Sequence, residues 1–344
     1  MAVKVSGSDG VDQSQVTGST QLPVGTNAER PASPEAGMMR FNTDEGYVEW
    51  YDDATDLWYP TSQFVGAVAT GGTVTEITQD GIQYRVHTFT SDGTFEVTRG
   101  GEVEYLVVGG GGGGGGGFQG GGGGAGGLIF SDAVAFSVGT YSVVVGSGGN
   151  GAPAADIATN GDNGENSSFN SEIAIGGGVG ATERSSAASP RFLPSTSGGS
   201  GGGGSHPEGQ ASELGSAGEP GQGNKGGDGK STIPRSSGGG GGAGTAGEDG
   251  SAGAGGAGGE GLFFGNVFGT SVGESGWFAG GGQGARRSTL DEQRGGQGGG
   301  GNVNASGMAF TGGGGGGGTA QPEVANTGGA AGGSGVVIVR YRIG

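Results

Sequence analysis

The sequence has no cysteine, only two histidines, and 15 Lys and Arg against 33 Asp and Glu, for a net charge of −18. Without thiols there is neither a disulfide framework nor a thiolate metal site. The acidic balance argues against nucleic-acid binding, which needs clustered Lys and Arg for phosphate contacts. No apolar run approaches 18 residues, so no membrane insertion is expected, and no export signal is expected either. Leu, Ile, Val and Phe together make roughly 17 % of the residues, below the level at which a conventional core fills a whole chain. No stretch of helical periodicity reaches a dozen residues, so the expectation is an all-β, helix-poor protein with local cores.

What fills the chain instead is glycine, 96 of 344 residues. The run from Gly109 to Gly127 follows the strand-like Val103–Val108, and further runs occur at Gly201–Gly204, Gly238–Gly242, Gly298–Gly301 and Gly312–Gly318. Glycine-rich sequence is normally a flexible linker. Linkers, however, are padded with Ser and lie between domains, and these runs are mixed with Phe, Trp and Leu. The ordered alternative is a bundle of polyproline-II-type glycine helices, with three residues per turn and every N–H donating to a neighbouring helix. Nine residues would span about 28 Å in that conformation. Collagen is excluded, because no strict Gly-X-Y period is present.

Residues 1–20 read as a polar tail or docking segment. Beyond them lies LPVGTNAERPASPEAGMMRFNTDEGYVEWYD, from Leu22. Met38–Phe41 and Tyr47–Tyr51 are strand candidates joined by the turn residues Asn42–Gly46. Trp50, Tyr51, Trp58 and Tyr59 give more aromatic surface than a small hairpin buries alone, which points to self-association. This segment resembles a short module of bacteriophage tail fibres. The resemblance implies a homotrimeric, virion-proximal attachment module, placed here at 1–62.

From Phe64 alternating strands predominate: Phe64–Thr70, Val74–Ile77, Ile82–His87, Val103–Val108, Leu128–Phe130, Val134–Phe136, Tyr141–Val145 and Ile173–Ile175. FTSDGTFEV, Phe89 to Val97, reads as a hairpin with Asp92-Gly93 at its tip. The terminal VVIVRYRI is apolar on the face of Val337, Val339, Tyr341 and Ile343. It cannot bury itself in glycine and belongs beside Val103–Val108. Residues 63–344 would then be one β-sandwich, with strands at about 64–180 and 335–344 and a polyglycine insertion at about 176–334. YLVVGGGGGG, GTYSVVVGSGGNG, IAIGGGVG and GGSGVVIVRY, taken in order, resemble a glycine-rich domain of phage tail fibres and adhesins. The resemblance implies a jelly-roll-like sandwich carrying polyglycine-II helices, with receptor-binding loops at one end of the bundle.

Motif matches are cheap in such a chain. Gly221–Gly226 fits G-x-G-x-x-G without a preceding strand, and Asn224–Ser231 lacks the first glycine of a P-loop. Asp162, Asn163, Glu165 and Asn166 read as a polar turn rather than a calcium site. His87 reads as a strand residue, and nothing marks a nucleophile elbow. No catalytic residue, metal or cofactor is therefore expected. Arg and aromatic residues set in loops suit recognition of carbohydrate or protein: Trp277, Phe278, Arg286, Arg287 and Arg294 foremost, then Arg191, Phe192, His206 and Arg235. The expectation is a non-enzymatic tail-fibre or tail-tip adhesin in the virion. Its partners would be a host-surface polysaccharide or outer-membrane protein and other tail proteins. The alternatives are a structural cement, collar or decoration protein, and a surface-polysaccharide depolymerase.

Overall fold

The structure, a computed structural model, describes residues 22–61, 66–117, 119–154, 159–184, 191–206, 213–231, 235–252, 254–286, 294–319 and 327–343. The tail at 1–20, the start of the strand expected from Phe64, and Arg287 lie outside them. Contacts divide the chain into two units, Met1–Phe64 and Val65–Gly344.

In the first unit, β1 (Val24–Gly25) pairs in parallel with β2 (Met39–Asn42), which continues antiparallel through β3 (Tyr47–Asp52) to β4 (Leu57–Pro60). The Asn42–Gly46 turn forms as its residues dictate. Asn42 Oδ1 accepts from the Asp44 and Glu45 amides, and Gly46 takes φ 76°. The four aromatics do not form one cluster. Trp50 and Tyr59 are cross-strand partners, as are Tyr51 and Trp58, with ring centroids 6.0 and 5.5 Å apart. Successive strand residues point to opposite faces, so the two pairs lie on opposite sides of the sheet. On the Tyr51 side sits a fully buried carboxylate, Glu49. Arg30 reaches it at 2.6 Å and Asn42 at 2.9 Å, with Arg40 at 3.6 Å.

The second unit begins with β5 (Val68–Thr70), β6 (Thr73–Gln79), β7 (Ile82–Phe89), β8 (Gly93–Arg99), β9 (Gly101–Val108), β10 (Leu128–Phe136), β11 (Gly139–Val144), β12 (Ser167–Phe169) and β13 (Glu172–Ala174). Small pairs follow, β14 (Thr182–Arg184) with β15 (Arg191–Leu193), and β16 (Leu262–Phe263) with β17 (Trp277–Phe278) around the one-turn helix α1 (Gly265–Phe268). The chain closes with β18 (Val336–Arg342). One five-stranded antiparallel sheet runs β10-β9-β18-β7-β6 and the other β13-β12-β11-β8-β5. β18 enters between β9 and β7, with Val337 opposite Val107, the position its hydrophobicity required. Phe89, Tyr105, Val339 and Tyr341 of the first sheet meet Phe95, Val97, Val143 and Phe169 of the second in the sandwich core. The other face of the first sheet is covered by Phe268 and Phe278, packed on Val86, Leu106 and Ile338.

FTSDGTFEV is not a hairpin. β7 bonds β6 and β18, while β8 bonds β11 and β5. Both hydrogen-bonding edges of β7 are taken, so Asp92-Gly93 carries the chain from one sheet to the other. Phe89 and Phe95 then enter the same core from opposite sides.

The glycines between strands form a packed array. Gly109, Gly112 and Gly115 donate to Gly127, Gly124 and Gly121; Gly110 and Gly113 to Glu165 and Asp162; Gly111 and Gly114 to Gly333 and Ala330. In return this segment accepts from Gly177, Gly180 and Glu183, from Gly149 and Ala152, and from Gly315 and Gly318. Each neighbour is met every third residue, the repeat of a polyproline-II helix, and the segment therefore has six neighbours. All of residues 109–117 are buried. A Cβ on Gly113 would collide with the Asn150 carbonyl, so the contact distance itself demands glycine. The array is not confined to 176–334. It takes in 109–127 and 146–166, the connections between sandwich strands.

Candidate functional site

The bundle has two ends. One continues into the sandwich, where Gly109 follows β9 and Gly127 leads into β10. At the other, Gly117 bridges to Glu183, Gln119 to Thr319, and Ser236 to both Lys230 and Arg286. These bridges bring together residues far apart in sequence. Ser237 Oγ donates to the Gln119 carbonyl at 2.6 Å, and Thr319 Oγ1 to the Arg286 carbonyl at 2.8 Å.

Three of the sequence candidates meet at this end: His206, Arg235 and Arg286. His206 is buried, 2 % exposed, and its Nδ1 has no hydrogen-bond partner among the described residues. Burial, and then the Arg235 charge, hold its pKa below the ordinary histidine value, so the ring is neutral at pH 7. Glu213 stands beside it, its N–H bonded to the Ser205 carbonyl at 3.0 Å. Burial pushes the Glu213 carboxyl up to about 7, against hydrogen bonds from the Ser205 and Ser195 backbones that favour the charged form. Nothing in the sequence singled out Glu213. It is one acid among 33, and only the backbone bond to Ser205 fixes it there.

Trp277 and Phe278 do not belong to this site. They form β17 at the sandwich end, and Phe278 is fully buried in the cluster on the first sheet. Trp277 packs on Phe263 at 5.3 Å. Residues 279–285 separate the pair from Arg286, a span of about 20 Å at polyproline-II rise. The expected Trp277–Arg294 site is thus two places. Phe278 is core because LFFGNVF and Trp277-Phe278 fold back as a lid over an apolar sheet face. Arg294 is exposed. Arg191 and Phe192 lie in β15, where Phe192 pairs with Glu183. That places them near Gly117, also at the far end of the bundle.

The remaining motifs resolve as structure. Asn163 Oδ1 accepts from the Val179 amide at 3.0 Å and Asn166 Oδ1 from the Gly176 amide at 2.9 Å, while Asp162 and Glu165 bond Asn150 and Ser147. Their oxygens tie helices together, and no group of three His, Asp or Glu gathers as metal ligands among the described residues. In Asn224–Ser231 the Gly226 and Gly227 amides bond Ser216 and Gly239, which leaves them unavailable to a phosphate. His87 is buried in the sandwich, Nδ1 2.7 Å from the Gly71 carbonyl and Nε2 3.1 Å from the Tyr341 hydroxyl. With Nδ1 donating, Tyr341 donates to Nε2 and accepts the Ala69 amide, a satisfied core network.

No match was found among the curated proteins. The model of a family described as a glycine-rich domain matches residues 88–342. That span runs from the end of β7 to the last residue of β18 and takes in most of the sandwich and the whole bundle. The chain belongs to this glycine-rich domain family.

Proposed function

We propose that this protein is a phage tail-fibre or tail-tip adhesin whose recognition surface is the end of the glycine bundle away from the sandwich. The observation that carries the reading is the division of labour in the second unit. A packed, side-chain-poor array ends, away from the sandwich, in segments bonded and bridged to one another, and those segment ends carry His206, Arg235, Arg286 and Arg294. Loops fixed on a rigid frame are where binding residues concentrate. The resemblance of Leu22–Asp52 to a tail-fibre module supports placement in a virion. Its half-exposed face of Met39, Trp50, Leu57 and Tyr59 is the surface for trimer contact. Tyr51 and Trp58 sit on the opposite face, and Tyr51 is already covered by its own chain. The test uses labelled full chain on a susceptible bacterial strain. Binding to the cell surface with a fall in plaque count is expected; a chain that leaves those cells bare overturns the reading.

A further inference from the structure

Lys230 and Arg286 occupy a particular arrangement at the far end of the bundle. Each is the antiparallel bridge partner of Ser236, one on either side. Bridge partners project to the same side of the local sheet at Cα separations of about 5 Å, so the two residues stand on one side of the backbone with their Cα atoms about 10 Å apart, Ser236 between them. Their backbones are fixed. The Lys230 amide bonds the Ser236 carbonyl at 2.8 Å, and the Arg286 carbonyl accepts from Thr319. Both side chains are half-buried, and among the described residues neither has a carboxylate partner. Arg286 Nε is buried without an acceptor among the described residues. Five other cations among the described residues are paired with carboxylates: Arg30 and Arg40 with Glu49, Arg85 with Glu76, Lys225 with Asp228 and Arg340 with Glu104. Ser236 is not a ligand, because its hydroxyl donates to the Ser251 carbonyl at 2.7 Å.

From this juxtaposition we infer that Lys230 and Arg286 form a site for the anionic groups of a surface polysaccharide, phosphate or uronic carboxylate. The inference rests on the adhesin reading and names the ligand class of the same end. A guanidinium pairs bidentately with either oxyanion, and a nearby ammonium adds a point charge without demanding geometry. Two cations on a fixed backbone, with no carboxylate paired to them among the described residues, meet such a group with little reorganisation.

The experiment measures binding of the full chain to immobilised polygalacturonate, to lipoteichoic acid and to neutral dextran, at low and high salt. Binding to at least one anionic polymer, weakened by salt and absent on dextran, is expected, and the pair of polymers tells carboxylate from phosphate. Lys230→Gln with Arg286→Gln should cut that binding about tenfold with the melting temperature held. Lys230→Glu alone serves if the double variant does not fold. Equal binding to dextran, no binding to either anion, or binding untouched by the substitutions overturns the inference. Adsorption to cells is measured in parallel. Cells bound equally by wild type and variant sink the anion site and leave the adhesin reading standing, whereas cells bound by neither sink the adhesin reading.

Discussion

At the scale of single residues, the protein depends on atoms that are missing. Gly113 sits where a methyl group would strike the Asn150 carbonyl. Gly113→Ala is therefore expected to destabilise the second unit by about 1–3 kcal/mol, the usual cost of overpacking. In a linker the same change would be neutral or slightly stabilising. A melting temperature equal to or above wild type would rule out packing at that site. Tyr341 shows the opposite dependence, on an atom that is present. Tyr341→Phe leaves His87 Nε2 buried without its donor, at a cost of about 1–3 kcal/mol, read from the denaturant midpoint. Glu213 sets a pH dependence. Its pKa is raised on folding, so the folded state holds the proton more tightly than the unfolded chain. Its effect is absent below the unfolded value near 4.5, and stability is lost as pH rises from there to about 7. Glu213→Gln should flatten the melting temperature across that window. Equal slopes for wild type and variant would show that this carboxyl is not buried against its charge.

At the scale of elements, β18 completes the fold. It is the middle strand of its sheet, bonded to β9 and β7 along both edges, yet it comes last in the chain. Its Val337, Val339 and Tyr341 enter one core and Val336 and Ile338 the other. Arg340 binds Glu104 at 2.7 Å and stacks on Tyr84 at 4.2 Å. It also bonds the Val267 carbonyl, which ties the α1 segment to the sheet. Removing residues 336–344 should leave β7 and β9 without a common partner and abolish cooperative melting of the second unit. Retention of a sharp transition would mean that the bundle stands without the closed sheet. A polyglycine segment makes no side-chain contacts of its own, so its order depends on both ends being held.

At the scale of the whole molecule, the bundle gives protection where composition suggests none. The amides of residues 109–115 all donate to carbonyls of other segments and are buried. Hydrogen exchange should show slow glycine amides there, opening only with the unit as a whole. Exchange at unstructured-peptide rates would return these runs to the linker class. Self-association is the second expectation at this scale. The Met39–Trp50–Tyr59 face of the first unit is half-exposed and apolar, and the full chain should sediment as three copies. A stable monomer at micromolar concentration would remove that face from the argument.

The alternation of Val, Phe and Tyr determined the strands locally, because a period of two states which residues face a core. Hydrophobicity alone also determined that VVIVRYR returns to Val103–Val108, since no other apolar surface was there to cover it. The glycine runs announced a backbone-packed array, but not its neighbours. A residue without a side chain carries no record of what it touches, and the six-fold surroundings of 109–117 come from segments as distant as 333. Likewise FTSDGTFEV carries turn chemistry that suits a hairpin or a crossing between sheets equally. Occupied edges on β7 chose the crossing. The loop residues were legible as candidates, not as a constellation. Trp277 and Arg286 are nine positions apart in the chain and at opposite ends of the bundle. Lys230 and Arg286 are neighbours only because long-range backbone hydrogen bonds set them on either side of Ser236.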